Sequence, residues 1–203
     1  LGVALPDAAA RQAAGRAVAR LTHTDPRAVE GALFVAELTA GRLDPPADAA
    51  RAALAVVHTP TLREPLEAAL ALGPVPVAQA AEVLGNTGYA PHTLALVTWA
   101  WQQDADAPFL DGVARLIGAG GDTDTTAALF GALWGARHGA GELPRDLLAR
   151  LAPGPFGAAH LQALAQALAQ GTPPPRYSTV AALLRNLALY PVVLAHGFAR
   201  LVW

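Results

Sequence analysis

The sequence contains no cysteine, no methionine and no lysine. Without cysteine, disulfides, zinc–thiolate sites and thiol nucleophiles are excluded. All fourteen basic residues are arginines, and against sixteen acidic residues they leave a formal net charge of -2. No basic stripe is formed, which excludes the usual electrostatic footprint of a nucleic-acid partner. The single serine, Ser178, has no adjacent base and no Gly-x-Ser-x-Gly setting, so serine hydrolase chemistry is not expected. No apolar run reaches about 18 residues without an Arg, Pro, His or Asn, so no membrane span is expected. No secretory leader pattern opens the chain. The missing methionine implies a chain that is trimmed, or a piece of a longer translation product. Isoleucine occurs once, at Ile117, in a background heavy in Ala, Leu, Arg, Pro and Gly. That bias suggests a high-GC, bacterial gene and says nothing of function.

What is present is apolar. Of 203 residues, 53% are hydrophobic and 15% charged, enough apolar side chain to bury one sizeable core and to exclude disorder. The expectation is a soluble, cytoplasmic, helical protein.

Helical spacing recurs along the chain and strand-like alternation does not. Asp7 is placed to cap a helix to about Leu21, with Ala10, Ala14, Ala17, Val18 and Leu21 on one face. Asp25-Pro26 reads as the cap and first residue of a second helix, which buries Val29, Leu33, Phe34 and Ala36 and ends at Gly41. A third covers about 47–57. Thr61 is expected to cap a fourth, to about Leu72, and a short one follows over 77–84. Gly85-Asn86-Thr87-Gly88-Tyr89 is a loop of residues that tolerate positive φ. Helices over about 91–103 and 108–117 come next. Trp99 and Trp101 stand two apart, so one of them is expected to be partly exposed. After Gly118-Ala119-Gly120-Gly121, Asp122 to Thr126 opens a helix to Arg137. A turn over 139–143 and a helix over 144–151 close the bundle. Beyond lie a helix over 158–170, a proline-rich connector at 172–175, and an apolar stretch over 180–203 divided by Pro191. Residues 1–151 thus form a multi-helix bundle, and residues 152–203 a helical appendage packed on it. The segment 177–203 has two readings. One is an amphipathic element on a membrane surface; the other is a pair of helices kinked or broken at Pro191 and docked on the bundle. The weak polar face favours docking.

Gly120-Gly121-Asp122-Thr123-Asp124-Thr125 is the sharpest chemical signal. Two carboxylates two residues apart point away from each other on a regular helix. At a loop-to-helix junction, Asp122, Asp124 and Thr125 can converge instead. Three hard oxygen donors suit Mg²⁺ or Mn²⁺. The plain alternative is that one Asp merely caps the helix from Thr125. Ala127, Gly131, Gly135 and Gly139 recur every four residues, a smooth face on which another helix can lie close, and that support favours a site.

This motif, with Ala127 to Ala136, Gly139 and Leu143-Pro144 behind it, resembles the C-terminal signature of the ADP-ribosylglycohydrolase family. Leu21-Thr22-His23-Thr24-Asp25-Pro26-Arg27-Ala28-Val29 resembles the family's Thr-His segment before a long helix, and Gly85 to Tyr89 with Thr93-Leu94 its Gly-x-Gly-Tyr loop. The likeness runs over about 1–151. It implies an all-α fold, a site for two divalent cations, usually Mg²⁺, and hydrolysis that frees ADP-ribose from modified protein side chains or small molecules. It implies Asp122, Asp124 and Thr125 as metal ligands. It places His23 in the ADP-ribose cleft, and Gly88 and Tyr89 against the nucleotide. The family's upstream Thr-Asp-Asp-Thr motif and upstream acidic catalytic residue are absent. By resemblance, then, only one side of the metal site is present, and no catalytic residue is assigned. A non-catalytic module that binds ADP-ribose or a related nucleotide is the alternative. His23 also has a plain reading as a surface or capping residue before a helix start, and Tyr89 as a half-buried ring packed behind a glycine loop. His58, His92, His138, His160 and His196 read as structural.

Overall fold

The computed structural model describes residues 1–151 and 156–202. Among them are eleven α-helices and no strand. In order they are α1 (Ala8–Ala19), α2 (Pro26–Ala40), α3 (Pro46–Ala53), α4 (Pro60–Ala71), α5 (Val77–Leu84), α6 (Ala90–Asp104), α7 (Phe109–Gly118), α8 (Thr123–His138), α9 (Arg145–Ala149), α10 (Ala158–Gln170) and α11 (Thr179–Val202). Two compact units divide the chain, Leu1–Leu143 and Pro144–Trp203.

Local signals set most of the helix starts. The Asp7 carboxylate accepts from the Ala10 amide, and that of Asp25 from Arg27, with Pro26 as the first helical residue. At α4 the cap is Thr59 rather than Thr61, because Pro60 takes the first helical position. Thr59 makes no side-chain cap bond; Glu30 of α2 reaches across and accepts from the His58 and Thr59 amides at 3.0 and 2.8 Å. Two orphan donors are satisfied by one carboxylate from another helix. Burial pushes the Glu30 carboxyl up, but these two amides outweigh it and hold it below the usual carboxylate range.

The first unit is organised around α6, which packs against α4, α8, α7, α2, α5 and α3. A helix enclosed on so many sides buries its whole circumference. Trp99 and Trp101 are therefore both fully buried, at 0% and 1% exposure, against the expectation that one would be partly exposed. Their ring nitrogens differ: that of Trp99 donates to the Gly73 carbonyl, while that of Trp101 has no partner.

The face expected to pack on α1 is also corrected. Ala10, Ala17, Val18 and Leu21 are exposed, Leu21 at 81%. The packed face carries Arg11 and Gly15 instead. Arg11 donates to the Leu5 and Pro6 carbonyls and pairs with Glu37 of α2 at 2.5 Å. Gly15 lets the Leu33 side chain sit 2.7 Å from where a Cβ would be. A buried ion pair and a missing side chain thus decide which side turns inward, and the apolar stripe does not.

The glycine stripe of α8 is not a helix-packing face either. A Cβ at Gly135 would meet nothing within 4 Å, and at Gly131 only ordinary contact with Phe109. The close approach lies elsewhere, where Gly112 of α7 receives the Phe130 ring of α8. Asp104, buried at the end of α6, accepts two bonds from Arg115 of α7.

In the second unit, α11 runs through Pro191 as one helix of 24 residues. Over Thr179–Arg200 its mean hydropathy is 1.4, long and apolar enough by length and composition to cross a membrane. The expectation of no span rested on uninterrupted apolar runs, a stricter measure than the helix average. Arg185, Asn186, Pro191 and His196 interrupt the apolar run in sequence, but they are too few to lower the helix average below that of a spanning segment.

Candidate functional site

Two loops meet at the start of α8. The Asp122 amide donates to the Asn86 carbonyl at 2.8 Å, and the Asn86 side-chain amide donates to the Ala119 carbonyl, also at 2.8 Å. Asn86 thereby joins the loop before α6 to the loop before α8 from both its backbone and its side chain. The junction demands glycine. Gly120 and Gly121 have φ of +69° and +71°, where a side chain is strained. A Cβ on Gly121 would also stand 2.8 Å from the Asn86 carbonyl carbon, and nearer its oxygen.

The junction delivers Asp122 as the residue before the first turn of α8. Its carboxylate makes no bond to the helix amides, so the capping alternative does not describe it. It accepts instead from the Thr125 hydroxyl at 3.0 Å, while the Asp122 carbonyl takes the Thr126 amide and hydroxyl. One Asp122 oxygen reaches to 2.9 Å from where a Cβ on Gly88 would be, so the loop approaches the carboxylate closely only as glycine. Asp124 is exposed and accepts from the Thr125 amide at 3.0 Å. The neighbouring Asp122 side chain, followed by that amide, holds the Asp124 carboxyl below its usual range. Asp122, Asp124 and Thr125 thus form one connected cluster of oxygen donors. Among the described residues, no group of three or more His, Cys, Asp or Glu converges anywhere in a metal-holding arrangement. The cluster is two carboxylates and a hydroxyl, a donor set that fits a hard divalent cation and no soft one.

Beside it opens a cavity of about 550 Å³, lined by His23, Gly88 and Thr125 together with apolar walls from Val18, Val35, Leu94 and Leu129. His23, Gly88 and Thr125, far apart in sequence, share this one cavity. Asp122, Asp124 and Tyr89 are not among its lining residues; Asp122 lies against Gly88, and Tyr89 follows it. The His23 ring is exposed and its Nδ1 meets the Thr22 hydroxyl at 2.8 Å.

Tyr89 is 40% exposed. Arg27 and His92 hold it. The Arg27 guanidinium donates to the Tyr89 hydroxyl at 2.8 Å and lies 5.4 Å from the ring centroid. The His92 ring meets Tyr89 edge-on at 5.1 Å and contacts the Thr87 hydroxyl through Nδ1 at 2.9 Å. Gly85, at φ +81°, makes room for that His92 ring, whose Nδ1 would stand 2.6 Å from a Cβ there. Arg27 is itself fixed by Asp25, with a 2.5 Å pair. Hydrogen bonds from the Arg27 side chain and amide lower the Asp25 pKa to about 2. The capping Asp-Pro pair was a legible signal for Asp25; Arg27 and Asn86 lie within the segments that carry the family resemblance but had no role of their own in it, and His92 was legible only as a structural residue. His138 is structural as expected, bonded to the Ala105 carbonyl at 2.7 Å and stacked on Trp134.

Comparison with known families gives the class: a profile of the ADP-ribosylglycohydrolase family matches residues 1–177 of the 203, and the chain belongs to that family. The match extends past the 1–151 on which the resemblance was read, to the end of the proline-rich connector. No curated protein and no solved structure matches the chain significantly.

Proposed function

We propose that the first unit removes ADP-ribose from a modified protein side chain or small molecule, with Asp122, Asp124 and Thr125 holding Mg²⁺ or Mn²⁺. A bound cation of this kind would supply Lewis-acid polarisation and orientation of ribose hydroxyls. The remaining work falls to the chain. The Asn86 bonds and the two positive-φ glycines fix the direction of the Asp122 carboxylate before any ligand arrives, so little ordering is left to pay on binding. The apolar cavity with a few polar groups at its edge is the ordinary form of a small-molecule site. Gly88 brings bare backbone to the point where cluster and cavity meet, and Arg27 with His92 holds Tyr89 upright next to it. His23 offers an exposed imidazole on the cavity wall. The observation that carries this reading is the Asp122 carboxylate, which caps nothing and faces Gly88.

A second reading, a non-catalytic module for ADP-ribose, draws on the absence of a third carboxylate or histidine at the cluster among the described residues. One experiment separates them. Full-length chain is incubated with an ADP-ribosylated protein and Mg²⁺, and free ADP-ribose is measured beside calorimetric binding of ADP-ribose. The hydrolase reading expects release that Asp122→Asn abolishes while the helical spectrum is unchanged. Binding without release selects the module. Unimpaired release by an Asp122→Asn, Asp124→Asn double variant would remove the metal assignment.

A further inference from the structure

We propose that α11 crosses a lipid bilayer and tethers the chain to a membrane. The family match ends at residue 177, two residues before α11 begins, so this helix is extra to what the family accounts for. Twenty-four residues at 1.5 Å per residue make about 36 Å, enough for a hydrocarbon core of about 30 Å with some tilt. Two kinds of helix imitate a span by composition: the buried core helix of a soluble protein, and an N-terminal signal. Neither applies, because none of the Thr179–Arg200 window is buried and it lies at the C-terminal end.

The distribution of side chains favours lipid over a protein partner. Leu183, Leu187 and Leu194 stand on one side, and Leu189 and Val193 lie far round the circumference from them, all between 42% and 64% exposed. A groove or a second copy covers one stripe of a helix. Lipid covers all of it, which suits a helix apolar over most of its circumference. An in-plane helix shows a strongly charged face and low overall hydrophobicity; the polar side of α11 is weak, because Arg185, Asn186, His196 and Arg200 share it with Leu189 and Val193, and its only charged residues are the two arginines. Arg200 falls near one end of the helix. Arg185 is six residues from the other, and because helical side chains lean toward the N-terminus its guanidinium can reach the near interface. Pro191 is tolerated inside membrane helices.

The test uses the full chain and does not depend on any hydrolase activity. It is expressed in a bacterial host, the membranes are washed in high salt and then in alkaline carbonate, and purified protein is floated with phosphatidylcholine–phosphatidylglycerol vesicles. Retention through both washes and flotation are expected. A Leu187→Glu, Leu194→Glu double variant, altered only at exposed positions, should keep the bundle's helical spectrum while its floated fraction falls on the order of tenfold. In sealed vesicles a tag after Trp203 and the bundle should lie on opposite sides, so protease reaches one and not both. Three outcomes overturn the proposal: release by carbonate, which marks a peripheral helix; protease access to both sides; or a detergent-free soluble chain, whether monomeric or paired through α11.

Discussion

Replacing Gly121 with alanine tests the account of how the α8 start is built. Two costs add. At φ +71° an alanine sits in the left-handed region, at about 1–2 kcal/mol. Its Cβ would press on the Asn86 peptide, 2.8 Å from the carbonyl carbon. Backbone cannot rotate away as a side-chain tip can, so the two loops must part. That breaks the 2.8 Å bond between the Asp122 amide and the Asn86 carbonyl, worth about 1 kcal/mol. The total is about 2–4 kcal/mol, which for a domain of this size lowers Tm by roughly 4–16 °C. Gly120→Ala is the matched control. Its φ of +69° carries the same conformational cost, but the nearest atom to its Cβ is the Asn86 side-chain nitrogen at 3.8 Å. It should lose only the conformational term, about 1–2 kcal/mol. Thermal and urea melts of the three proteins, followed by circular dichroism, give the difference directly. Equal destabilisation by the two variants would refute the claim that contact between the loops, and not φ alone, requires glycine at 121.

Other consequences are more local. Gly135→Ala should stabilise by about 0.5–1 kcal/mol, because the site is a helix interior with open space and negative φ, so the gain is backbone entropy; destabilisation in urea melts would restore the close-packed stripe. Asp104→Ala should cost about 2–3 kcal/mol in the same assay, below the value for a fully buried pair because Arg115 keeps 35% of its side chain in water. Glu30→Gln tests the cross-helix cap. The Glu30 pKa is lowered in the fold, so its stabilising charge is fully present above the unfolded value of about 4.3 and is lost as pH falls through the folded value. Wild type should therefore exceed the variant in stability near neutrality and converge with it in acid; a gap independent of pH would show that the carboxylate charge is irrelevant.

The boundaries of α5 and α10, and the starts of α1 and α2, were fully legible in the sequence. They depend on residues within one turn of each other: Asp7 with Ala10, Asp25 with Pro26 and Arg27, a glycine after the last helical residue. The oxygen-donor motif was legible for the same reason, since Asp122 and Thr125 lie within a single turn and meet at 3.0 Å. Tertiary structure alone decided the rest. Which face of α1 packs follows from Arg11 finding Glu37 in the next helix. Both tryptophans are buried because six helices enclose α6, a property of the assembly that two residues of spacing cannot express. Asn86 reaches Ala119 and Asp122, and Arg27 reaches Tyr89, across 33 to 62 residues of chain. Helical periodicity says where a side chain stands around its own axis; what stands opposite it depends on how the chain returns, and no local pattern carries that.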